Sequence, residues 1–218
     1  LKKFQAFQRK QERDKLHHRL VALAQELSMN PAPKQQVPKC IHSYYSNILF
    51  RTDMYTGTVL SVKLPEFINS NISWVGLPKG KVLMSQAFPK NGASEVVCVD
   101  TLQDFAVTSM PPMSVKRQDH SFVALVDYIY AIGSRYHRNC ICERLRLGAS
   151  EWKAIPPMPV HCNRTGAVAV EETNSIYCFG GNSSGQMNSI QMLSISQLKW
   201  YELSVKMPSG QHNLAVFK

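Results

Sequence analysis

Hydrophobic and polar residues alternate in two different rhythms along the chain. In residues 1–29, Leu16, Leu20, Leu23 and Leu27 recur at i, i+4, i+7 and i+11, one apolar stripe on a helix. The stretch is rich in Lys, Gln, Arg, Leu and Ala and holds no Gly or Pro, so a helix is predicted over 1–29. Phe4 and Phe7 add an aromatic pair near its start. Asn30-Pro31 ends it, because a residue before proline is pushed out of the α region. Residues 30–39 carry three prolines and read as an extended linker. From Cys40 onward, short runs of Val, Ile, Leu, Phe and Tyr alternate with turn residues, and an all-β body is predicted over 40–218.

The strand-like runs repeat. Trp152 and Trp200 stand 48 residues apart, and Phe105 stands 47 before Trp152. Seven residues ahead of each is an apolar position: Cys98, Leu145 and Leu193. Each aromatic runs into a close containing Met-Pro or Pro-Met, at 110–113, 156–159 and 207–208. A first-strand pattern then begins at 120–126, 166–170 and 212–217, with Arg117 and Arg164 at similar places before the first two. A second strand closes on small residues, Gly133-Ser134 and Gly180-Gly181, and its Tyr130 and Tyr177 lie 47 residues apart. Each unit of about 47 residues therefore predicts four strands, the content of a propeller blade. Such a sheet is apolar on both faces and must stack on neighbours; Trp152 and Trp200 are large enough to fill the gap, and the paired glycines allow a sharp turn where backbone crowds backbone.

These residues resemble the kelch family. Its blade carries an aromatic-hydrophobic-Gly-Gly strand end, then a Tyr, then a Trp, then a Pro-rich close. Residues 164–208 keep Tyr177, Phe179, Gly180-Gly181, Trp200 and Met207-Pro208. Residues 117–159 have Ser134 for the second Gly. Residues 71–113 have Ser85-Gln86 near the diglycine site and Phe105 for the Trp, while Leu145 and Leu193 stand where the family has Tyr. Residues 40–70 form a further degraded unit, with strands at 47–50 and 57–64. The resemblance implies a kelch-like β-propeller segment of about four blades (40–70, 71–113, 114–159, 160–208), the start of another at 209–218, and an N-terminal α-helix ahead of them. Kelch rings usually close with six blades, so the chain is expected to continue, or to borrow its missing wall from another chain.

Charge adds a direction. The chain carries +10, of which residues 1–39 hold +6, from nine Lys/Arg against three acids. That arm implies an acidic partner, and Lys2, Lys3, Arg9, Lys10 and Arg13 are its candidate contacts. No nucleic-acid recognition motif accompanies the charge. No run approaches the roughly 20 apolar residues of a membrane span, and the basic start lacks the apolar stretch of a secretion signal. With no initiator Met, the chain is expected to be a piece of something longer. Six cysteines at irregular spacing point to a reducing, cytoplasmic setting rather than a disulfide framework. Asn71, Asn163 and Asn182 would accept glycans only if the chain were secreted.

Candidate chemistry is sparse. Cys140-x-Cys142 with His137 and His161-Cys162 lacks the spacing structural zinc favours, and no metal is expected. No nucleophile elbow, phosphate loop or dinucleotide fingerprint occurs, so neither catalytic residues nor cofactors are expected. The copper ligands of galactose oxidase, which shares the propeller, have no counterparts here. Kelch propellers bind proteins through loops at one face, and the basic, aromatic loop Arg135, Tyr136, His137, Arg138 is the most concentrated candidate. The expected function is a protein-interaction scaffold of the cytoskeleton, cilium or another large assembly, with acidic tubulin or actin filaments as fitting partners. A substrate-recognition adaptor of a ubiquitin ligase is the alternative, and a propeller-supported oxidase a more distant one.

Overall fold

In a computed structural model, residues 40–45, 48–64, 73–85, 94–135, 141–181 and 188–210 are described. The chain divides into two units, Leu1–Lys39 and Cys40–Lys218. The helix expected over 1–29, the linker 30–39 and most of 209–218 lie outside the described residues.

The described residues are all-β, with fifteen strands in four antiparallel sheets and a single 3₁₀ turn at Glu171–Thr173. Sheet 1 is β1 (Cys40–Tyr45), β2 (Ile48–Asp53) and β3 (Val59–Lys63). Sheet 2 is β4 (Trp74–Leu77), β5 (Lys81–Ser85), β6 (Val96–Asp100) and β7 (Ala106–Met110). Sheet 3 is β8 (Ser121–Leu125), β9 (Tyr128–Ile132), β10 (Cys142–Arg146) and β11 (Lys153–Ile155). Sheet 4 is β12 (Gly166–Val170), β13 (Ser175–Phe179), β14 (Ile190–Ser194) and β15 (Lys199–Glu202). Each sheet is a meander whose neighbours in sequence are neighbours in the sheet.

The spacing between sheets is constant. The first strand of each following sheet begins eleven residues after the last strand before it ends: Lys63 to Trp74, Met110 to Ser121, Ile155 to Gly166. By that measure β3 is a last strand, and β1–β3 correspond to the second, third and fourth strands of the other sheets. Runs of β-branched and aromatic residues explain the strands. One contact recurs at the same place in three sheets. The backbone N–H after the third strand donates to the turn between the first two: Thr101 to Gly80, Leu147 to Asp127, and Ile195 to Asn174, at 2.8–3.0 Å.

Alternation gives every strand two faces, and both faces of the inner sheets are used. Leu49, Val62 and Leu64 of sheet 1 meet Val82, Met84, Val97, Val99 and Phe105 of sheet 2. The opposite face of sheet 2, with Leu83 and Val96, meets Phe122, Ile129, Ala131, Leu145 and Trp152 of sheet 3. The other face of sheet 3, with Val123, Leu125, Tyr130, Ile132 and Cys142, meets Ile176, Cys178, Leu193 and Trp200 of sheet 4. Each sheet thus has a backward face toward the sheet before it and a forward face toward the next. The first strands β4, β8 and β12 lie side by side.

The aromatics expected to bridge the units all sit on backward faces, but not identically. Trp200 pairs directly with Leu193. The indole N–H of Trp152 donates to the Pro111 carbonyl at 2.9 Å, and that of Trp200 to Pro156 at 2.8 Å. Phe105 has no such donor and lies in the turn before β7 with φ +53°. The register of β6 against β7 also shifts the expected alignment. Val97 and Val99 join Phe105 against sheet 1, so alternation puts Cys98 on the other face, and Val99 rather than Cys98 corresponds to Leu145 and Leu193.

Candidate interaction surface

Antiparallel meanders place their connections at two ends. One end, the turn end, holds the short turns between first and second and between third and fourth strands. The other, the loop end, holds the loops between second and third strands and the linkers between sheets. The starts of β4, β8 and β12 meet at the loop end: Ser73 Oγ accepts the Phe122 N–H at 2.8 Å, and Ser121 Oγ donates to the Thr165 carbonyl at 2.6 Å.

At the loop end the linkers are held by buried polar side chains of the third strands. Glu143, at the start of β10, is fully buried. It pairs with Arg117, also buried, through Nη2 at 2.9 Å and Nε at 3.0 Å. Its other oxygen accepts from the Ser114 backbone N–H at 2.9 Å and from the Ser114 hydroxyl. Arg117 Nη1 donates further to the Gly133 and Ile141 carbonyls. In sheet 4 the same place belongs to Gln191, whose amide clasps both backbone groups of Val160, at 2.9 and 3.1 Å, and reaches Cys162 Sγ at 3.5 Å.

Arg117 and Arg164, placed alike by the sequence, do different things. Measured from the first strand, Arg117 corresponds to Cys162 and Asp119 to Arg164. Asp119 and Arg164 both adopt left-handed backbone, at φ +55° and +57°. They are joined by an N–H to carbonyl bond of 2.7 Å and an ion pair of 3.1 Å. His120 follows, buried against the edge of Phe122 with ring centroids 4.7 Å apart. Neither of its ring nitrogens has a hydrogen-bond partner. Burial, helped by the Arg117 charge, pushes its pKa down to about 3, so it is neutral.

The repeat glycines meet these linkers. A Cβ at Gly133 (φ +74°) would stand 2.5 Å from the Cys162 carbonyl oxygen, and one at Gly181 (φ +102°) 2.8 Å from that of Asn163. Gly180 also has positive φ. Tyr130 is buried on the forward face of sheet 3, and Tyr177 stands half-buried in the matching place of sheet 4. Burial holds the Cys178 thiol well above its usual range, and the nearby Cys142 and Cys162 add to this, so it is a poor nucleophile.

Of the candidate contact residues, Arg135 is exposed at the loop end, its N–H bonded to the Gln118 carbonyl at 2.9 Å. Tyr136, His137 and Arg138 lie outside the described residues, as do Lys2, Lys3, Arg9, Lys10 and Arg13. Among the described residues no group of three or more His, Cys, Asp or Glu is placed to hold a metal ion, and no helix is long and apolar enough to cross a membrane.

The turn end, which no sequence motif singles out, is different. Tyr55 (72% exposed), Val126 (71%), Leu102 (55%), Met54 and Leu147 stand out to solvent at the tips of three consecutive sheets. Val-Asp between two strand runs at 126–127 was the one visible sign of it. No protein-family model matches the chain, and no curated protein matches it.

Proposed function

We propose that residues 40–218 form an arc of a kelch-like β-propeller that serves as a protein-interaction scaffold, with the basic arm 1–39 directing it to an acidic partner such as a tubulin or actin filament, in a cytoplasmic, cytoskeletal or ciliary setting. One observation carries the reading: the contrast between the two ends of the stack. Buried polar groups at the loop end hold the linkers together, while Tyr55, Leu102 and Val126 offer apolar surface at the turn end, the kind of surface that marks protein contacts. Four stacked meanders with Trp-to-proline-carbonyl bonds at two interfaces support the propeller reading. The basic arm supplies a salt-sensitive attraction to an acidic lattice.

Co-sedimentation with microtubules and with F-actin tests this. The full chain is expected to pellet with one of them at low salt and to be released as ionic strength rises, and removal of residues 1–39 should abolish retention. If neither filament retains the full chain, the cytoskeletal reading is wrong.

A further inference from the structure

Sheet 3 sets three cations side by side on one face. In register, Arg144 of β10 lies directly opposite Lys153 of β11, and Arg146 follows two residues along β10. Alternation puts Arg144 and Arg146 on the forward face with Cys142, and Lys153 joins them as the partner of Arg144. Side chains directly opposed on an antiparallel pair stand about 5 Å apart at Cβ, and like charges there repel. Among the described residues no carboxylate pairs with any of the three. Glu143, the acid of β10 itself, points to the other face and is taken up by Arg117. Asp127 and Glu151 stand in the neighbouring turns, and neither forms an ion pair with the cluster.

The cluster is held in place. The Arg144 guanidinium sits over the Tyr128 ring, 4.7 Å from its centroid, and Tyr128 packs against the core between sheets 3 and 4. The ring fixes where the guanidinium sits without using up its fork of donors. Directly opposite Arg144 on β9 is Tyr130, whose buried hydroxyl has no hydrogen-bond partner among the described residues. Burial raises its pKa, and the Arg144 charge counters only part of that rise, so the phenol keeps its proton. Guanidinium, ammonium and phenol all bring protons, and what the place lacks is an acceptor. Arg146 and Lys153 are exposed and Arg144 is half-buried, so the cluster opens to solvent.

We infer that Arg144, Arg146 and Lys153 form an oxyanion site that takes a phosphoryl group. Such a group brings close to two negative charges and three acceptor oxygens, against the single charge of a carboxylate, and a guanidinium fork grips two of those oxygens at once. A free phosphate compound and a phosphorylated side chain of a partner offer the same chemistry. The site lies on sheet 3 alone and needs neither the propeller reading nor a filament.

Calorimetric titration of the full chain tests it. The titrants are inorganic phosphate, a short phosphoserine peptide, and the same peptide with Glu in place of phosphoserine, all at one ionic strength set with sodium chloride. Inorganic phosphate is expected to bind at one site per chain, and the Glu peptide to bind more weakly than either phosphate titrant or not at all. Arg144→Met should weaken phosphate binding about tenfold or more, the loss of one charge-assisted contact. Arg146→Met and Lys153→Met should each weaken it severalfold, and Lys63→Met, at an exposed place on sheet 1, should leave it unchanged. Arg146 and Lys153 are exposed, so R146M and K153M keep the fold and decide the matter if R144M does not fold. A phosphoserine peptide that binds tighter than inorganic phosphate assigns the source to a modified partner; one that binds no tighter assigns it to a free phosphate compound. No binding of either phosphate titrant, a Glu peptide as tight as the phosphoserine one, or R146M and K153M that both bind as the wild type overturns the inference.

Discussion

The linker between sheets 2 and 3 and the linker between sheets 3 and 4 make the same journey with different chemistry. Each opens on Pro-Pro-Met, gives its first proline carbonyl to the next tryptophan, buries the methionine, and reaches the next first strand after eleven residues. The first is then held by a buried ion pair, Arg117 with Glu143. The second is held by a neutral amide, Gln191, gripping backbone, with Cys162 where Arg117 stood. The buried His120 of the first becomes Thr165 in the second. The position at the start of the third strand must grip the linker, but a charge is not required there. A buried pair has already lost much of its attraction to desolvation, so the neutral version sacrifices little.

The strongest way to break this comparison is to remove one half of the charged pair. Glu143→Ala leaves Arg117 buried without its carboxylate and is expected to cost about 3–5 kcal/mol in urea unfolding. The double change Arg117→Cys with Glu143→Gln copies the second linker and should recover most of that loss. A double variant as unstable as the single one would mean the two linkers are not interchangeable.

Acid separates the linkers next. With its folded pKa near 3, His120 imposes no penalty above the ordinary value near 6.5. As pH falls from there toward 3, the unfolded chain binds a proton the folded one refuses, and stability is lost by about 1.4 kcal/mol per pH unit. Comparing unfolding at about pH 8 and about pH 4.5, His120→Phe should spare roughly 2–3 kcal/mol of the wild-type loss. Equal losses in the two proteins would place His120 outside that account.

The smallest effect tests what the linkers share. Trp152→Phe and Trp200→Phe each leave a proline carbonyl without its donor, and each is expected to cost about 1–2 kcal/mol. Thermal unfolding should find the two alike; a clear inequality would show that the two bonds are equivalent only in geometry.

Strands were legible where alternation and turn residues agreed: 166–170 coincides with β12 (Gly166–Val170) as read. The period was legible because Trp152 and Trp200 are rare and large. Three things were hidden. The strand β1 escaped notice because Cys40–Tyr45 mixes polar with apolar residues in a half-covered sheet. The alignment of Cys98 failed because turn length, which sequence spacing does not fix, set the register of β6 against β7. The roles of Arg117 and Arg164 were confused because the β8–β9 turn is two residues shorter than β12–β13, so equal spacing from Tyr130 and Tyr177 is unequal spacing from the first strands. The candidate surface was read as a basic loop at 135–138; the exposed apolar tips depend on which turn residues project, and only three dimensions show that.

The fastenings made by the tryptophans and by the buried polar groups of the third strands point the same way along the chain. Trp152 reaches back to Pro111, Trp200 to Pro156, Glu143 to Ser114 and Arg117, Gln191 to Val160. Each joins a residue to one already made. On a ribosome, where the N-terminal part folds first, every sheet can therefore be secured the moment its own last strand emerges, without waiting for anything still to be translated. The order of synthesis and the order of assembly are the same order.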